Sequence, residues 1–174
     1  MGKCPFLLAH ALSPMASSLI TVGWREWLAF PDVRLPAVRA KVDTGAATSA
    51  LHARGVERFT SGGAPWARFD VQPFFRRHRR VTVACEAPVV DVRTVTSSSG
   101  HADERLVVGV TLRLGVRAGS PEWPVEVSLA DRGAMRFPML LGREAMAGHV
   151  AVDPGASFLL GRLDHAADLY APPD

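Results

Sequence analysis

A chain of 174 residues, 48% of them hydrophobic and 21% charged, is long enough for one compact domain that buries roughly two thirds of its unfolded surface. Its two cysteines, Cys4 and Cys85, sit in unrelated contexts with no CxxC spacing, which argues against a disulfide framework and favours a reducing cytoplasm. The net charge of +3 comes mostly from arginine, since Lys3 and Lys41 are the only lysines, and so mild an excess does not by itself imply nucleic acid.

At the N-terminus, Lys3 and the run Pro5-Phe6-Leu7-Leu8-Ala9-His10-Ala11-Leu12 faintly resemble a secretory signal, but the run is short, holds a histidine and leads into no convincing A-x-A pattern. A translation start at Met15 is the plainer reading and leaves residues 1–14 as an upstream extension. No apolar run approaches the roughly 20 residues that a membrane-spanning helix needs. We therefore expect an extension over residues 1–18, one domain over 19–163 and a flexible tail over 164–174, in a cytoplasmic protein.

From Leu19 onward, short strands alternate with turns. Ser18-Leu19-Ile20-Thr21-Val22 and Trp24-Arg25-Glu26-Trp27-Leu28 come first, and Pro31-Asp32 and Pro36 break the chain before Val38-Arg39-Ala40-Lys41-Val42, which leads to Asp43. Strands over 49–53 and 66–71 flank a Ser61-Gly62-Gly63 turn, and Val81-Thr82-Val83-Ala84-Cys85 follows. The alternating run 89–96 and the run 104–114 read as a long hairpin whose tip, Ser97-Ser98-Ser99-Gly100-His101, is small and polar. A strand over 123–129 and the apolar run Phe137-Pro138-Met139-Leu140-Leu141 end at Gly142, where a short helix, Arg143-Glu144-Ala145-Met146-Ala147, is stopped by Gly148. His149-Val150-Ala151-Val152-Asp153 and Ala156-Ser157-Phe158-Leu159-Leu160 read as a closing pair of strands around Pro154-Gly155. With no internal repeat, the pattern is an all-β domain with one short helix.

The residues that suggest chemistry are Asp43-Thr44-Gly45-Ala46, a carboxylate on a tight turn at the end of a strand, followed by a hydroxyl and a glycine. Alone, such a tripeptide is equally an ordinary Asx turn. Its order is what carries meaning: the turn, then the polar-tipped hairpin, then Leu140-Leu141-Gly142-Arg143 opening a helix. This order resembles the retropepsin family of aspartic peptidases. With Gly23-Trp24-Arg25-Glu26-Trp27, Lys41-Val42, Thr48-Ser49-Ala50-Leu51-His52-Ala53 and Met135-Arg136-Phe137-Pro138, the chain is similar, over about residues 22–160, to the bacterial retropepsin-like family often labelled an ATP-dependent zinc protease. The two cofactors of that label have no support in the residues. No H-E-x-x-H occurs, the six histidines are scattered, and no G-x-x-x-x-G-K-[ST] is present, so we expect neither zinc nor ATP and no other cofactor.

The resemblance implies a single-domain acid-protease barrel with a flap hairpin, and a homodimer whose two-fold axis passes between two copies of Asp43. Two carboxylates roughly 3 Å apart cannot both ionise easily, so they share one proton, one activating water while the other donates to the substrate carbonyl; aspartic proteases are the standard case of this behaviour. On this reading Thr44 bonds across the axis, Gly45 and Ala46 complete the turn, and Leu140, Leu141, Gly142 and Arg143 support it from behind. Thr96, Ser97, Ser98, Ser99, Gly100 and His101 would form a flap that closes over an extended peptide.

The chain departs from the retropepsin pattern in one place. Ala47 and Thr48 stand where many retropepsins carry an acid that pairs with the arginine of the Gly-Arg element, so Arg143 lacks that partner and Glu144, Asp32 and Asp153 are the substitutes to consider. The densest charge, Phe74-Phe75-Arg76-Arg77-His78-Arg79-Arg80, reads first as a solvated loop. It would also suit an acidic partner or RNA, and a glutamate-rich peptide or protein substrate fits both that charge and the family's association with glutamate-ligating ATP-grasp enzymes. From a different class comes a second reading, a non-catalytic binding or regulatory module that uses the same fold and this loop.

Overall fold

The structure, a computed structural model, describes residues 19–75, 81–96, 102–131, 133 and 135–171. The expected extension before Leu19, the basic run Arg76-Arg77-His78-Arg79-Arg80 and the hairpin tip Ser97-Ser98-Ser99-Gly100-His101 lie outside the described residues.

Side-chain alternation builds the sheet. In β3 (Leu35–Asp43) Ala40 and Val42 face the interior while Lys41 is exposed, and in β8 (Glu122–Ala130) Trp123, Val125, Val127 and Leu129 are buried between exposed Glu122, Pro124 and Glu126. The pairings return on themselves. β2 (Arg25–Phe30) pairs with β3, β3 with β9 (Met139–Gly142), β9 with β4 (Ser49–Ser61), β4 with β8, β8 with β7 (Ala102–Leu114), and β7 with β2 again. Such closure leaves these strands no free edge and encloses Leu28, Phe30, Leu35, Val38, Leu112, Met139 and Leu141, all buried.

Two strands are longer than their sequence patterns suggest. β4 leaves β8 and β9 after His52 and pairs with β5 (Ala64–Val71) from Ala53 onward, continuing through a register shift between Arg54 and Glu57 where Gly55 takes φ +57°. β6 (Val83–Thr96) joins what read as two strands, with Pro88 within it and a register shift between Val89 and Asp91. The β6–β7 hairpin stays paired out to Thr96↔Ala102.

The C-terminal third departs from expectation. β10 (Val150–Asp153) does not form a hairpin with residues 156–160. It pairs in parallel with β1 (Ile20–Gly23), in the register Ile20↔Val150 to Gly23↔Asp153. Residues 156–160 are irregular because their amides are claimed by other acceptors. Phe158 takes φ +57°, and the buried carboxylate of Glu26 accepts the N–H groups of Leu159 at 2.8 Å and Leu160 at 3.3 Å, as well as that of Gly23 at 2.8 Å. Within the expected tail, residues 166–170 pack onto the domain. A 3-10 turn, Ala166–Tyr170, packs Ala166 and Tyr170 with Trp27, Ala37, Phe74 and Phe158, and the Tyr170 hydroxyl donates to the Ala37 carbonyl at 2.5 Å. Among the described residues no helix is long and apolar enough to cross a membrane.

Candidate active site

Asp43 ends β3 and its carboxylate starts the turn. Oδ1 accepts the Gly45 amide at 3.2 Å, an Asx turn, and Oδ2 accepts the Lys41 ammonium at 2.9 Å. The Lys41 hydrogen bond, with the Lys41 charge and the Gly45 and Ala46 amides, holds the carboxyl below its usual value against the opposing effect of burial. The side chain is about one quarter exposed, so water and substrate can reach it.

Behind the turn stands α1 (Arg143–Met146). Its first amides donate to the turn, Arg143 N–H to the Ala46 carbonyl at 2.9 Å and Glu144 N–H to the Ala47 carbonyl at 3.1 Å. Gly142 is in parallel register with Asp43, and its N–H donates to the buried Ser49 hydroxyl at 3.1 Å. A Cβ on Gly142 would lie 2.5 Å from the Thr48 carbonyl carbon and oxygen, so only glycine permits this approach. Trp123 closes the far end of the helix, its indole N–H donating to the Ala145 carbonyl at 2.9 Å while its ring stacks on His149 at 4.2 Å. One catalytic-type turn is thus clamped by a second segment almost a hundred residues away in the chain, and it presents one carboxylate.

The model of the RimB-like family, described as retropepsin-like aspartic endopeptidase RimB, matches residues 21–162. The chain belongs to this family. Two probable alpha-L-glutamate ligases are similar to this RimB-like chain. The protein from Shewanella pealeana is 41% identical over 147 residues, 84% of this chain and 31% of the relative. That from Parasynechococcus marenigrum is 44% identical over 155 residues, 88% of this chain and 32% of the relative. The chain therefore spans about a third of the length of the curated relatives it matches. Among solved structures, protein Lpg0085 of unknown function from Legionella pneumophila superposes with a TM-score of 0.66 at 28% identity, covering 82% of this chain and 99% of that one.

Within the RimB-like frame, the structure brings Asp43, Thr44, Gly45, Ala46, Leu140, Leu141, Gly142 and Arg143 together. Leu141 is fully buried and Leu140 partly so, while Thr44 is exposed on the rim. Thr96 ends the described part of the flap-like hairpin, and the remaining tip residues lie outside it. Arg143 solves its missing partner differently from expectation. Its Nη1 donates to the Gly45 carbonyl at 3.1 Å, while Asp32 accepts the Thr111 amide and Asp153 the Gly155 amide, so a turn carbonyl stands where an acid was sought.

Two residues with work at this site, Lys41 and Ser49, were missed in the sequence. Lys41 lies two positions before Asp43, and strand alternation alone puts the two side chains on one face, a signal that could have found the pair. Ser49 acts through the Gly142 amide, distant in sequence, which no spacing reveals. Among the described residues, no three His, Cys, Asp or Glu side chains converge to fit zinc. Cys85 is no alternative nucleophile, because burial pushes its thiol up to about 12.

Proposed function

We propose that this RimB-like chain is an aspartic endopeptidase completed by a second copy of itself, acting on peptides rich in acidic side chains. The observation that carries the reading is the single part-exposed carboxylate of Asp43 on a turn rigidly backed by Gly142 and α1. One such turn supplies one carboxylate, and water activation of the aspartic type uses two. In the dimer, one Asp43 takes a proton from water as its oxygen attacks the scissile carbonyl, and the other gives its proton to the carbonyl oxygen. The gem-diol intermediate then collapses: the protonated Asp43 gives its proton to the leaving nitrogen as the C–N bond breaks, and the other Asp43 takes a proton from a gem-diol hydroxyl, so the pair again holds one proton.

Beside the turn lies an apolar depression of about 440 Å³, lined by Thr44, Met146, Val150 and Val152 among others, a surface suited to cover by the second copy. The acidic substrate is supported by the names of the relatives. Where matching segments lie within chains named as glutamate ligases, a peptidase of this kind would work on glutamate-rich peptides.

The test pairs light scattering with cleavage of a peptide library by wild type and Asp43→Asn. A dimer that cuts acidic peptides, with cutting lost in Asp43→Asn, is the expected result. Equal cutting by a dimeric Asp43→Asn protein would refute the mechanism, and retention of acidic peptides without any cutting would favour the binding module instead.

A further inference from the structure

Alternation in β3 places Arg39, Lys41 and Asp43 on one face, and the antiparallel register sets Arg25 of β2 directly opposite Lys41. Like charges facing each other across a strand pair are destabilising, so the fold alone gives no reason for this arrangement. The two arginines are held by rings. Arg25 lies 4.6 Å from the Trp24 ring centroid and 4.9 Å from that of Phe158, and Arg39 lies 5.1 Å from the centroid of Phe137. Lys41 is held otherwise. Its side chain is 46% exposed, and its ammonium sits on Asp43 Oδ2 at 2.9 Å. An ammonium on a flexible stem is a movable point charge, and an ion pair this exposed is weakly held.

The contact has a chemical consequence for a shared-proton pair. With Lys41 on Oδ2 and the Gly45 amide on Oδ1, both oxygens of Asp43 are engaged in favour of the ionised form. Two carboxylates each neutralised by their own ammonium have little reason to share a proton. Release of Lys41 restores that reason, and an acidic side chain of the bound peptide is the group that would take it.

We propose that Lys41 is the specificity-determining residue of the site, resting on Asp43 in the free chain and passing to an acidic side chain beside the scissile bond, which frees Asp43 for the catalytic pair. This rests on the endopeptidase reading and adds to it the residue that couples recognition of substrate charge to readiness of the carboxylates.

The test uses a hexaglutamate peptide and analogues in which single glutamates are replaced by glutamine, with wild type, Lys41→Met and Lys41→Arg. In wild type, replacement at one position lowers kcat/KM by about tenfold, the worth of one charge-assisted hydrogen bond. Lys41→Met loses the penalty at that position alone, and Lys41→Arg keeps it. Binding of the same labelled peptides to Asp43→Asn and to Asp43→Asn/Lys41→Met reads recognition without turnover, and the tenfold discrimination is present in the first and absent in the second. An undiminished penalty in Lys41→Met overturns the proposal while cleavage that depends on Asp43 leaves the peptidase reading intact. Lys41-dependent binding by a wild type that cuts no peptide overturns the peptidase reading and supports recognition by Lys41.

Discussion

At the scale of single residues, the chemistry turns on which form of Asp43 is present. Lys41 and the turn amides keep its carboxyl below the model-compound value of 3.8. A depressed value of this kind stabilises the fold fully above the unfolded pKa, and the contribution is lost as pH falls through the folded one. Lys41→Met should therefore raise the Asp43 pKa, followed by carboxyl-carbon NMR, and flatten the acid limb of stability as pH falls below the unfolded carboxyl value. Because both side chains are partly exposed, the stability difference should stay within about 1 kcal/mol. Asp43→Asn should keep the fold and lower kcat by at least about a thousandfold in single-turnover cleavage assays. An unchanged Asp43 titration in Lys41→Met would remove lysine from the account of this carboxylate. The Asp-Thr-Gly-Ala turn was legible in the chain because its chemistry is local. The Lys41 contact was legible in principle, since i and i+2 share a strand face.

Among the elements, the junction of β9 with α1 is the part that tolerates least change. A Cβ at Gly142 meets backbone at 2.5 Å, so Gly142→Ala must move the Thr48 segment; a cost of about 2–3 kcal/mol, or a Tm fall of roughly 5–10 °C by calorimetry, is expected. Glu26 gathers three backbone N–H groups from two segments. Glu26→Gln keeps one acceptor oxygen but turns a donor toward an amide, and should cost about 1–3 kcal/mol. Hydrogen exchange checks the cause, since amides 158–160 should lose protection before those of β2 and β3. These long-range amide contacts explain where the sequence misled. Residues 156–160 read as a strand from their apolar composition, yet the acceptors they meet are a carboxylate and the carbonyl of Arg25, so strand propensity is overridden. The tail from Asp164 carries polar residues and prolines, but one buried Tyr170 hydroxyl bonded to Ala37 is enough to anchor a short turn. By contrast β2, β8 and α1 fell close to their predicted places, because alternation, Pro31 and Gly148 at φ +78° are signals carried by neighbouring residues, whereas β3 begins at Leu35 and runs through Pro36, which was read as a break.

For the whole molecule, a closed ring of strands holds a single acid turn at its rim, and the completed site is proposed to need two copies. In the proposed dimer, exposed Thr44 and Ala147 beside the apolar depression would seat the second copy, so Thr44→Val and Ala147→Glu should each weaken self-association, measured by analytical ultracentrifugation. Replacing an apolar interface residue by a charge at such a seat costs on the order of 2 kcal/mol or more of association energy. The most direct measurement mixes wild type with Asp43→Asn at constant total chain and follows peptide cleavage after subunits exchange. If both carboxylates of the active pair come from Asp43, activity falls as the square of the wild-type fraction. Activity that falls only in proportion to that fraction would show that one copy suffices, and would contradict a shared site at the dimer axis.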